Sequence, residues 1–148
     1  MDLSEIPRPL VFTCGVFDVL HRGHVDLLYR ARELGASLVV ALNTDASARR
    51  LGKGPGRPVN SLADRLAIIR ALRAVDWVLP FDDDTPLALI ERLRPDVLVK
   101  GGDWPVERIV GAGSVLARGG LVFSLPIQYQ RSSTATLAKL RPAGGVVD

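Results

Sequence analysis

Five short runs rich in valine and leucine, separated by stretches of helical period, constrain this chain more than any other feature. They are "PLVFTCG" (9–15), "SLVVALN" (37–43), "DWVLPF" (76–81), "DVLVKG" (96–101) and "GLVFSLP" (120–126). Strands joined by helical crossovers return to the same end of a sheet and therefore run parallel. Their near-continuous apolar content, without alternation, predicts burial on both faces. The expected fold is α/β: a Rossmann-like, doubly wound, five-stranded parallel sheet with helices on both faces.

The helical segments carry their own punctuation. "HVDLLYRAREL" (24–34) repeats apolar residues at helical spacing and runs out at Gly35. "SLADRLAIIRALRAV" (61–75) opens on Ser61 with Asp64 three residues on, a capping-box variant. "TPLALIERLRP" (85–95) offers Thr85 as N-cap, Pro86 at the first helical position and Pro95 beyond the end. A shorter helix is expected at about 105–118, and "SSTATLAKLR" opens the last one. With 148 residues, no repeat and no linker-like stretch, the chain reads as one domain over 1–148 with its core at about 9–141.

Composition removes several classes. A hydrophobic fraction of 47% argues against disorder, and no apolar run approaches the roughly 20 residues of a membrane-spanning helix. The start, "MDLSEIPRPL", lacks the basic-then-apolar pattern of a secretory signal, so the expected location is the cytoplasm, with no membrane partner. Cys14 is the single cysteine, which excludes an internal disulfide and a thiolate zinc site; it reads as a small buried residue at a strand end. A net charge of +3 with dispersed arginines, and 5% aromatics, offers neither a basic block nor a stacking platform. No nucleic-acid partner is expected. "LGKGPGRPV" (51–59) holds three glycines and two prolines, which puts Lys53 and Arg57 on an irregular loop, either a cationic arm or an ordinary connection.

In a doubly wound sheet, ligands bind outside the carboxyl ends of the strands near the reversal of strand order. The loop after the first strand is "GVFDVLHRGH" (15–24), and it contains both histidines of the chain. His21 and His24, three apart, fall on one side of the first helical turn, where unpaired backbone N–H groups and the positive helix end face the crevice. An anion is the expected occupant, with Gly23 allowing a phosphate oxygen to approach and the two imidazoles acting as a clamp. A two-histidine metal site and a satisfied core pair are the alternatives. No G-x-G-x-x-G follows the first strand and no G-K-[ST] occurs, so the dinucleotide and Walker devices are absent. "RSSTATL" (131–137) places Arg131, Ser132, Ser133 and Thr134 at a second helix start, where ordinary capping is the alternative. A helix end contributes only about 0.3–1 kcal/mol toward an anion, so Lys53, Arg131 and Mg²⁺ carried by nucleotide phosphates are expected to share a triphosphate's charge.

These motifs resemble the nucleotidyltransferase superfamily of cytidylyltransferases and small adenylyltransferases, whose signatures are G-x-F-D-x-x-H-x-G-H and a C-terminal S-T-T type motif, here S-S-T. The similarity runs from about residue 9 to 140. "ALNTDASARRLGKG", "RPVN", "AVDWV", "DTPLALIERLRPDVLVKGGDW" and "RSST" are most similar to the heptose 1-phosphate adenylyltransferases that lack a fused sugar kinase domain. That resemblance implies ATP and D-glycero-β-D-manno-heptose 1-phosphate as substrates and ADP-heptose, a precursor of lipopolysaccharide or related surface glycans, as product. It implies His21, His24 and Lys53 as catalytic groups, with the backbone of Val16 and Phe17, Gly23, Arg131, Ser132, Ser133 and Thr134 binding ATP. Asp18 and Arg57 would serve the acceptor phosphate or, for Asp18, a metal. "KGGDW" would place Lys100, Gly101, Gly102 and Asp103 against the nucleoside or the sugar. A homodimer and a separate upstream sugar kinase are implied as well. Two other readings stay open: a cytidylyltransferase for glycerol 3-phosphate or another alcohol phosphate, and a nucleotide-binding module without chemistry.

Overall fold

Residues that avoid water on both sides form the middle of the sheet. The computed structural model describes residues 2–129 and 132–140. Its strands are β1 (Leu10–Gly15), β2 (Ser37–Asn43), β3 (Trp77–Phe81), β4 (Val97–Gly101) and β5 (Leu121–Leu125). They lie in the order β3-β2-β1-β4-β5, and every pairing is parallel. Phe12 of β1 stands opposite Val39 of β2 and Leu98 of β4. β2 is buried along its whole length, whereas the edge strands β3 and β5 are partly exposed. That corrects the expectation of two-sided burial for all five, because an edge strand has a neighbour on one side only. Pro80 sits in β3, where a missing N–H need not cost a ladder bond.

The helices are α1 (Arg22–Arg32), α2 (Asp45–Arg50), α3 (Leu62–Arg70), α4 (Leu87–Leu93), α5 (Ala112–Ala117) and α6 (Ser133–Leu140). Successive strand residues point to opposite faces, so Val11 and Phe12 serve different cores. On one face Leu27, Leu28 and Ala31 of α1 and Ile69 of α3 pack with Val11, Val40 and Val99. On the other, Ile90 and Leu93 of α4 and Val115 of α5 pack with Phe12, Val39 and Leu98. Each fully buried aliphatic side chain contributes roughly 1.5–3 kcal/mol, so two such layers fix the sheet between its helices. Strand order reverses between β1 and β4, which sets the crevice at their carboxyl ends. No described helix is long and apolar enough to cross a membrane.

Several local expectations change. α2 went unread because six residues are too few for a periodicity; it is capped by Thr44, whose hydroxyl accepts from Ser47 N–H at 3.2 Å. Ser61 caps α3 as expected, accepting from Asp64 N–H at 3.2 Å, but the helix stops at Arg70. α4 starts at Leu87 with Pro86 in the capping position; Thr85, one residue earlier, still accepts from Leu87 N–H at 3.5 Å. The span 105–118 is divided into a 3₁₀ turn, Val106–Arg108, and α5, because the chain passes through Gly111 in the left-handed region at φ 84°.

Candidate active site

The turn that leaves β1 is strained and heavily braced. Phe17 and Val19 both adopt left-handed backbone, at φ 49° and 51°. Such conformations cost about 1–3 kcal/mol each and persist only where the surroundings over-determine them. Arg65 of α3, with no exposed surface, supplies much of the bracing. Its guanidinium donates to the carbonyls of Val16 at 3.0 Å, Asn43 at 2.8 Å and Asn60 at 3.1 Å, and to the Asp45 carboxylate at 2.7 Å. From α6, the Ser133 hydroxyl donates to the carbonyls of Asp18 and Val19.

Asp18 is 2% exposed, and its carboxylate is turned inward. It accepts from Val59 N–H at 2.7 Å, Asn60 N–H at 3.0 Å and Arg57 Nε at 3.2 Å. Desolvation pulls its pKa up, but the Asn60 and Val59 amides and the Arg57 guanidinium outweigh it and hold the carboxyl below its ordinary range. In this arrangement Asp18 pins the end of the 51–60 loop and aims Arg57, which also reaches Thr134 Oγ1 at 3.4 Å.

The two histidines cap α1 reciprocally. His21 is the N-cap; its Nδ1 accepts from Gly23 N–H at 3.1 Å, and His24 Nδ1 accepts from His21 N–H at 3.3 Å. The rings stack with centroids 3.8 Å apart, and Phe17 closes over His24 at 5.2 Å. An imidazole whose Nδ1 accepts must, when neutral, carry its proton on Nε2. Capping therefore selects the tautomer. Burial first, then the charges of His21 and Lys53, push the His24 pKa down to about 4, so the ring is neutral at pH 7.

The same geometry corrects two expectations. The amides of Gly23 and His24 at the start of α1 are not left open for an anion, because Gly23 N–H goes to His21 Nδ1 and His24 N–H goes to His21 O at 3.0 Å. Gly23 is required for a different close approach: a Cβ there would lie 2.9 Å from His21 Cε1, displacing the imidazole that folds back over it.

A cleft of about 240 Å³ lies against this helix start, and its lining includes His21, His24, Lys53, Arg57, Ser132, Ser133 and Thr134. Val16, Phe17, Asp18 and Gly23 also border it. Most of the predicted site residues are thus brought together from the β1–α1 turn, the 51–60 loop and the start of α6. Gly52, Gly54 and Gly56 all have positive φ and no atom near the position of a Cβ, so the segment carrying Lys53 is open to solvent. Burial, then the charges of Arg57 and Lys100, lower the Lys53 pKa. Ser132 caps α6 by accepting from Ala135 N–H at 2.9 Å. Arg131 lies outside the described residues.

The fourth-strand motif separates from this group. Lys100 borders a second cleft, and Gly101, Gly102 and the exposed Asp103 are not among the residues lining the histidine cleft. Sequence reasoning missed Arg65, Leu27 and Ile127. Arg65 reads as one more charge on a helix, and only the meeting of β1, β2 and the 51–60 loop over α3 gives it four partners. Leu27 and Ile127, which line the cleft, read as ordinary core. Among the described residues, no group of three or more His, Cys, Asp or Glu could hold a metal ion.

A parallel sheet with paired imidazoles, two cations and a hydroxyl-capped helix at its switch point defines a protein of the phosphate-handling α/β class. A family model described as Cytidylyltransferase-like matches residues 12–114. A "D-beta-D-heptose 1-phosphate adenylyltransferase" of Bordetella bronchiseptica is 54% identical over 93% of this chain and 85% of its own. A "Bifunctional protein HldE" of Nitrosococcus oceani is 52% identical over 89% of this chain, which spans only 28% of that longer protein. Among solved structures, a lipopolysaccharide core biosynthesis protein from Thermoplasma volcanium superposes with a TM-score of 0.65 at 29% identity, covering 82% of this chain and 98% of that one. The chain belongs to the cytidylyltransferase-like family of nucleotidyltransferases.

Proposed function

We propose that this chain transfers AMP from ATP to D-glycero-β-D-manno-heptose 1-phosphate, giving ADP-heptose and pyrophosphate. The observation that carries this reading is the 54% identity, over nearly the whole length of both chains, with the Bordetella heptose 1-phosphate adenylyltransferase. The reciprocally capped histidine pair at the switch point, with His24 neutral, supports the chemistry.

In the transfer, an oxygen of the acceptor phosphate forms a bond to the α-phosphorus of ATP. The bridging oxygen between α- and β-phosphorus departs with the bonding electron pair as pyrophosphate. The nucleophile is already an anion, so positioning and charge stabilisation replace a strong base. His21 and His24 donate from Nε2 to oxygens of the transferring and departing phosphates, and the backbone at Val16 and Phe17 borders the same group. Lys53 folds over from its glycine-rich segment as ligand binds, and Arg57 faces the phosphates beside it. Ser132 and Thr134, with Arg131, receive the distal phosphates. Mg²⁺, carried by the nucleotide's phosphates, would supply charge screening beside His21, His24 and Lys53.

We further infer that the reaction takes place in the cytoplasm, on a homodimer, with a separate kinase supplying the sugar phosphate. The deciding experiment incubates the protein with heptose 1-phosphate and each nucleoside triphosphate in turn and measures pyrophosphate. Release with ATP alone is the expected result. Release with CTP and glycerol 3-phosphate, and none with ATP and heptose 1-phosphate, overturns it.

A further inference from the structure

Arg22 stands between the two histidines in "HRGH", and the proposed reaction leaves it without a task. Its side chain is exposed, yet its guanidinium is held. One terminal nitrogen donates to Tyr129 Oη at 2.8 Å, and the guanidinium carbon lies 3.7 Å from the centroid of the Tyr129 ring. A planar guanidinium can stack on an aromatic face while donating from its edge, a combination that an ammonium group does not match.

A second arginine of α1 holds the same connection from the other end. Arg30 is fixed by Asp26 at 2.9 Å and donates to Pro126 O at 2.5 Å. Pro126 therefore lies beside the second half of α1 and Tyr129 beside its first turn, and the two arginines are eight residues apart, about 12 Å along the helix. The segment 126–129, which leaves β5, thus runs back along α1 toward the histidines. A Cβ at Gly23 would lie 3.5 Å from Tyr129 O, so the backbone of the segment is seated on that first turn. Ile127, between the two ties, lines the histidine cleft together with Leu27. Ser132, the cap of α6, stands three residues beyond Tyr129 in the sequence.

We infer that Arg22 is a positioning residue: with Tyr129 it seats the approach to α6 on α1 and so fixes the hydroxyls of Ser132 and Thr134 relative to the histidine pair. The inference rests on the proposed reaction, in which the two helix starts hold different phosphates of one nucleotide, and adds the contact that keeps them in register. Ser133 already joins α6 to the carbonyls of Asp18 and Val19. A single tie leaves a helix free to pivot about it; a second tie, at a different point, removes the pivot. Without the second tie, a nucleotide spanning both starts must order α6 as it binds, and that cost falls on affinity. Once the nucleotide is seated, its α-phosphate meets the same histidines, so the chemical step is spared.

The test compares wild type, Arg22→Ala, Tyr129→Ala, the double variant and Tyr129→Phe in steady-state kinetics and in titrations with a non-hydrolysable ATP analogue. Arg22→Ala and Tyr129→Ala should each raise the KM for ATP and the analogue Kd roughly tenfold, equal to about 1.4 kcal/mol, with kcat within about twofold of wild type. The double variant should bind no more weakly than either single one, because the same contact is removed only once. Tyr129→Phe keeps the ring beneath the guanidinium and should recover part of the loss. Unchanged KM and Kd in both single variants overturn the inference, as does a double variant whose loss is the product of the two. A fall in kcat with KM unchanged also overturns it, because Arg22 would then act on the reacting atoms. If wild type binds the analogue but makes no ADP-heptose, the proposed reaction fails, and the pattern of Kd values alone decides whether Arg22 and Tyr129 position the nucleotide site.

Discussion

α1 and α6 begin at the same rim and are capped by different chemistry. At α1 the caps are imidazoles, which have two nitrogens: Nδ1 serves the fold by accepting from the backbone, and the proton this leaves on Nε2 is available to chemistry. At α6 the caps are hydroxyls, which have one proton each. Ser133 spends its proton on the carbonyls of Asp18 and Val19, and Ser132 uses a lone pair on Ala135 N–H. The contrast teaches that α1 can cap itself and still donate, whereas at Ser133 the same hydrogen cannot anchor the loop and hold a phosphate together. On the proposed reaction, α1 would be the start that donates to the reacting phosphate and α6 the one that positions it.

Variants should separate the two. The largest effect is expected at the residue that braces the turn leading into α1. Arg65→Met strands the carbonyls of Val16, Asn43 and Asn60 and leaves Asp45 unpaired, which should cost about 3–5 kcal/mol in urea unfolding. A loss under about 1 kcal/mol would mean that the rim is not built as one unit.

His24→Ala comes next. Removing one donor to developing charge should lower kcat by roughly a hundredfold or more in a chain that still folds, as circular dichroism would report. Ser133→Ala should instead raise the KM for ATP by several-fold, with kcat much less affected, because it loosens the placement of α6. Equal effects on kcat from both variants would erase the distinction drawn here. Ser132→Ala should lower stability by about 1 kcal/mol, the ordinary value of an N-cap, measured by thermal unfolding.

A pH series sharpens the comparison, since only the α1 cap titrates. The His24 pKa falls from an ordinary 6.5 to about 4 in the folded protein. Above pH 6.5 the ring is neutral in both states and its contribution is constant. Between 6.5 and 4 the unfolded chain binds a proton that the folded one resists, so stability declines as pH falls through that window. Unfolding midpoints of wild type should therefore decline more steeply over this range than those of His24→Ala. An NMR titration showing His24 charging near its ordinary value would remove the basis for a neutral donor.

Much of this molecule can be read without coordinates. Apolar runs such as "SLVVALN" disclose buried parallel strands because no solvated strand tolerates such a sequence on both faces. Ser61 discloses the start of α3 because capping is local. "HRGH" discloses a helix start beside a cleft because spacing and topology suffice. Other residues mislead when read locally. Gly23 suggests room for a phosphate, and it makes room for His21. Asp18 suggests a group aimed at substrate or metal, and its carboxylate faces the amides of Val59 and Asn60, forty-odd residues away.

By itself, the sequence determined the layered parallel architecture, the rim that carries both histidines, and the residue types gathered there. These follow from period, propensity and capping, which act over a few neighbouring residues. Only the tertiary structure decided which nitrogen of each histidine carries the proton, that Arg65 rather than any loop residue braces the strained turn, and that Asp18 turns inward to the 51–60 loop. Those features depend on groups distant in the chain competing for the same few donors and acceptors in a space from which water is excluded, and no local pattern records the outcome of that competition.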